Sequence, residues 1–181
     1  MLENSDTLLS MAEIAAAFAG FAALLSVIRR ASDQPAEAAH DLLRLRLVIS
    51  SSVAGVAAAL VPVGLAGYGL DSHQIWRLAA VIFLVLDNGI IVSFVRSYQP
   101  VRGAFPPDRL AVVLVTGLEI VEQLSLLVVV LGLSMANGPA LYVTALIANI
   151  CQAGFVFVRF VGSAFRHSSE IFAADQEGRD P

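Results

Sequence analysis

LAVVLVTGLEIVEQLSLLVVVLGL, residues 110–133, decides the fold. A helix needs about 20 mostly apolar residues to cross the hydrocarbon of a bilayer. This run is long enough and is apolar on every side, yet Glu119, Glu122 and Gln123 sit near its middle. An ionised group at membrane depth costs a few kcal/mol even on the lenient insertion scale, about 3 kcal/mol for an aspartate at a helix centre. Such groups therefore face a polar partner or a watery path inside a bundle. Helical spacing puts Thr116, Glu119, Glu122 and Gln123 on one face. Two carboxylates one turn apart in a low dielectric do not both carry charge unaided, so one holds a proton or the two share a bound ion.

The run before it repeats the theme. Residues 77–95 read RLAAVIFLVLDNGIIVSFV, with Asp87-Asn88-Gly89 near the centre. Asp and Asn compete with the helix backbone and Gly loosens it, so the triplet predicts a kink, a π-bulge or a short unwound segment. Irregular backbone at that depth is tolerated only inside protein or beside a water-filled cavity. In the last apolar run, 140–162, Asn149 and Gln152 are three apart and Arg159 follows on the same face. Asp87, Asn88, Glu119, Glu122, Gln123, Asn149 and Gln152 thus fall at similar depth on three consecutive spans, where a substrate or coupling ion is expected. Arg159, about 12 Å from its span centre, either snorkels to the interface or compensates Asp87 or Glu119.

Working outward gives five spans, at about 8–28, 45–68, 77–95, 110–133 and 140–162, and hence an all-α integral membrane bundle. Composition agrees: 57% of residues are hydrophobic and 14% charged, against about 25% charged in soluble domains. All 11 basic residues are Arg. Arg29, Arg30, Arg44, Arg46, Arg96, Arg102, Arg109, Arg159, Arg166 and Arg179 flank or lie in the first and third connections and the segment at and beyond the end of the fifth span, and only Arg77 lies on the other side. The positive-inside rule then puts the N-terminus outside and the C-terminus in the cytoplasm, in a bacterial inner membrane. The first span has no basic residue before it and an Arg pair after it, the charge order of an anchor rather than a cleaved signal peptide.

Asp33 and Pro35 predict the start of a cytoplasmic helix that runs on into the second span. Pro62 with Gly64 and Gly67 predicts a bend there, and Ser50, Ser51 and Ser52 are candidate bonding or pore-lining groups. Ser10 to Glu13 matches a capping box, so Glu13 is read as a capping acid or an outer-mouth carboxylate. Ala16 and Gly20, on the face of Glu13, predict close packing against another helix. Cys151 reads as a packed small apolar residue, and the polar tail 167–181 as frayed.

Three function classes remain. The favoured one is a homo-oligomeric cation or proton channel or transporter built on the midplane acids and amides. Its rival is a non-conducting assembly, sensor or accessory subunit whose buried polar groups hold the bundle together. An intramembrane enzyme is disfavoured: His40, His73 and His167 lie outside the five expected spans, and no HExxH, Ser/His arrangement or phosphate loop occurs. No cofactor and no nucleic-acid partner is expected, because no basic stretch has the footprint of one.

Overall fold

The computed structural model describes the backbone of residues 4–28, 35–103 and 108–177, and side chains over 4–27, 39–100, 102–103, 108–134 and 136–162. The described residues form five helices and no strand: α1 (Ser5–Ile28), α2 (Pro35–Ala66), α3 (Ser72–Tyr98), α4 (Arg109–Leu131) and α5 (Gly138–Glu177). Each contains a stretch long and apolar enough to cross a membrane. The shortest, α4 with 23 residues, is about 35 Å long at 1.5 Å per residue.

Local chemistry sets the helix ends. α2 stops in a turn in which Gly69 adopts φ 73°, and Asp71 caps α3 by accepting from the Gln74 amide at 2.9 Å. Asp108 caps α4 in the same way, accepting from Leu110 N–H at 3.1 Å. At the other end of α4, Gly132 takes φ 69° and Leu133 N–H reaches back to Val128 O at 3.1 Å. That is a Schellman stop, which needs a residue free to enter the left-handed region.

α2 and α5 form the centre. α2 packs against α1, α3 and α5, while α5 also meets α4, α1 and α3. Small side chains allow these approaches: Ala12, Ala15, Ala54, Ala58, Ala79, Ala145 and Ala148 are all buried. The outside is the inverse of a soluble protein. Large apolar residues such as Val85 (68% exposed) and Val113 (72%) cover it, while Asp87, Glu122, Asn149 and Gln152 lie inside.

Several sequence expectations change. α3 is an uninterrupted helix through Asp87-Asn88-Gly89. The Asn88 amide is satisfied within the helical backbone, donating to Leu84 O at 2.8 Å, so it does not draw the chain out of the helix. α2, by contrast, carries Pro62 inside a helix that runs on to Ala66, an arrangement compatible with the expected bend. α1 begins at Ser5, not Ser10, so Glu13 lies beyond the first turn and does not cap; it is exposed. Ala16 and Gly20 share that exposure, and α1 packs instead through Leu8, Ala12, Ala15 and Ala22. Cys151 is exposed on α5. The expected frayed tail is helical as far as Glu177, an extension of α5. α2 begins at Pro35, as the run-on helix requires; the Asp33 cap lies outside the described residues.

Candidate functional site

α3 and α4 bring Asp87, Glu119 and Glu122 together, each offering a carboxylate oxygen within 4.8 Å of the others. Gln123 holds two of them. Its Nε2 donates to Asp87 Oδ2 at 2.6 Å and to Glu119 Oε1 at 2.9 Å. Asn88 Nδ2 donates to the Gln123 carbonyl at 3.2 Å, which fixes which end of the Gln123 amide faces the acids. From α5, Gln152 Nε2 donates to Glu119 Oε2 at 3.1 Å and to Val115 O at 3.2 Å. The amides thus supply donors where carboxylates need them.

Glu122 is the exception. It is 0% exposed, and neither carboxylate oxygen has a hydrogen-bond partner. The Asn149 amide lies close enough to interact with the carboxyl as a donor without closing a full hydrogen bond; its Nδ2 donates instead to Ser51 Oγ at 3.1 Å. Asn149 is itself 1% exposed, and its Oδ1 is unpartnered. Most buried polar groups in folded proteins are bonded, so two adjacent exceptions call for an explanation.

Two of the acids, Asp87 and Glu119, line a cavity of about 260 Å³ together with Ser51, Thr116, Gln152 and apolar residues, while Glu122 is buried outside its lining. That cavity shares Leu47, Phe94, Val115, Thr116 and Val156 with a second one of about 400 Å³, whose rim carries His40, Arg44, Tyr98, Asp108 and Arg159. The two form a vestibule from the arginine-rich end down to the acids. Towards the other end a packed layer separates the acids from a third cavity of about 230 Å³ lined by Ser72, His73, Trp76, Val129 and Ser134. One turn beyond Asp87, Glu122 and Asn149 come the buried Phe83, Leu126 and Leu146. Tyr142 joins this layer, its ring 6.0 Å from Phe83 and 5.4 Å from Trp76, with its hydroxyl donating to Ala58 O at 2.6 Å.

Arg159 does not compensate Asp87 or Glu119. It pairs with Asp108 at 2.6 Å, because α4 starts beside that level of α5 and offers an acid nearer than the midplane. This hydrogen bond, and that from Leu110 N–H, hold the Asp108 carboxyl below its ordinary range. The bundle therefore gathers Asp87, Asn88, Glu119, Glu122, Gln123 and Gln152 with Asn149 beside them, and leaves Arg159 and Glu13 apart. The closing aromatic layer and the Asp108 partner were missed in the sequence; only the aromatic spacing on α3 and α5 hinted at the layer.

The chain matches no known protein family, no curated protein and no solved structure.

Proposed function

We propose that this is a multi-pass membrane protein, N-terminus outside, that binds and moves a small cation or a proton through the carboxylate cluster as a homo-oligomer. The observation that carries the reading is Glu122, fully buried and unbonded at both oxygens, in a cluster whose other two acids, Asp87 and Glu119, line a cavity. A carboxylate there is costly unless a cation or proton neutralises it. The apolar layer beyond it favours alternating access over a permanently open pore. Oligomerisation finds support in Asn88 and Gly89, exposed midway along α3, where a second copy would cover the polar amide from lipid.

The non-conducting alternative has its own support. The bonds from Gln123 and Gln152 tie α3, α4 and α5 together, as interhelical glue does. Ion flux into proteoliposomes, read with a pH dye under varied cations and potentials, separates the two. Transport predicts flux in the native protein that falls sharply in Glu122→Gln while folding and oligomeric state persist. A well-folded native protein without flux supports the structural role.

A further inference from the structure

We infer that Asp87, Glu119 and Glu122 form a site for one hard divalent cation, loaded through the vestibule from the arginine-rich end. This deepens the transport reading and rests on it for its role, though binding is testable alone.

Clustering of acids is only the starting point. The separate observation is the state of Glu122. No side chain closes a full hydrogen bond with either oxygen, and the Asn149 amide is the one donor that comes near the ionised form. Neither this form nor the protonated one is satisfied by the side chains around it, although a buried carboxyl needs bonding in either state. A metal ion satisfies it, because a cation accepts lone pairs from unbonded oxygens without a proton. The amides complete the argument. Gln123 and Gln152 hold Asp87 and Glu119 from behind, as outer partners hold ligating carboxylates in metal sites. No arginine among the described residues hydrogen-bonds to the three acids; Arg159 is spent on Asp108 and Arg46 donates to Ser93. The neutralising charge therefore has to come from outside the chain.

Ligand chemistry narrows the ion. Three carboxylate oxygens within 4.8 Å of one another can converge on one hard cation, which takes oxygens at about 2.3–2.6 Å for Ca²⁺ and about 2.0–2.1 Å for Mg²⁺. Three carboxylates also match the all-oxygen ligand set of these cations.

The test is calorimetric titration of the full chain in detergent with CaCl₂, repeated with MgCl₂ as competitor. One saturable Ca²⁺ site per chain is expected, for which Mg²⁺, sharing the all-oxygen ligand preference, competes. Glu122→Gln should weaken it by roughly tenfold or more, the scale on which metal sites respond to losing a supporting group. Asp6→Asn, an exposed acid on α1, should leave it unchanged. If Glu122→Gln does not elute as the native species, Glu119→Gln is read in its place under the same expectation. No saturable binding by the native protein up to millimolar Ca²⁺, or undiminished binding in the folded variants, overturns the inference. Proton flux without Ca²⁺ binding defeats the metal site and leaves transport standing; Ca²⁺ binding without any flux does the reverse.

Discussion

Gln123 is the residue on which the cluster turns. One amide nitrogen spans Asp87 and Glu119, and Asn88 fixes its orientation. Gln123→Leu preserves approximate volume and removes both donors. Leaving two carboxylates short of a partner costs about 1–3 kcal/mol, so a lowered thermal unfolding midpoint in detergent is expected; an unchanged midpoint would mean the bonds hold nothing. Gly55 is a second such point. A Cβ there meets Asn149 Oδ1 at 3.0 Å and Ala15 Cβ at 3.4 Å. Alanine gains about 1 kcal/mol of helix propensity, but Asn149 is anchored by Ser51 and cannot retreat freely. Overpacking of this kind costs about 1–3 kcal/mol, so Gly55→Ala should destabilise the bundle on balance, as read by the same thermal scan.

At the scale of the element, α4 is joined to α5 at the arginine-rich end by the Asp108–Arg159 pair. Folding lowers the pKa of Asp108 from its ordinary 3.8. The charged pair therefore contributes in full above that value and is lost as pH falls through the lowered one. Asp108→Asn keeps a capping side chain and removes the charge. The midpoints of native protein and variant should differ at pH 7 and converge under acid below 3.8; a constant difference would show that the charge is not what matters. Element scale is also where the sequence was most legible. Length and apolarity alone delimit the five helices, because nothing competes with them in so uniform a composition. The Asp87-Asn88-Gly89 helix was misjudged because Asn88 bonds Leu84 O along its own helix, which local propensity does not reveal. α1 was read one turn short because Ser10 and Glu13 imitate a cap in the middle of a helix. The acids and amides of the cluster were legible from depth and facing alone. Their bonding was not: the sequence shows that Gln123 shares a face with Glu119 but not that it also reaches Asp87 on another helix.

The whole molecule divides into two halves of different character. The arginine-rich half is hollow down to Asp87 and Glu119, and the acids are separated from the cavity at the other end by a layer of Phe83, Leu126, Tyr142 and Leu146, each 0% exposed. Phe83 is the member of this layer one turn from Asp87. Phe83→Ala removes a ring and leaves a void beside the cluster, at a typical cost of 3–5 kcal/mol. In proteoliposomes this variant should leak cations or protons faster than the native protein; a tight vesicle from folded Phe83→Ala would place the barrier elsewhere. Everything in the account turns on water reaching the acids from one end only. Thr116 lines both cavities and lies one turn from Glu119, so it reports on that water directly. With the single cysteine, Cys151, replaced by Ala, Thr116→Cys should react with a membrane-impermeant thiol reagent applied from the arginine-rich face of oriented vesicles and stay unreacted from the other. Labelling from the opposite face, or from neither, would contradict the account.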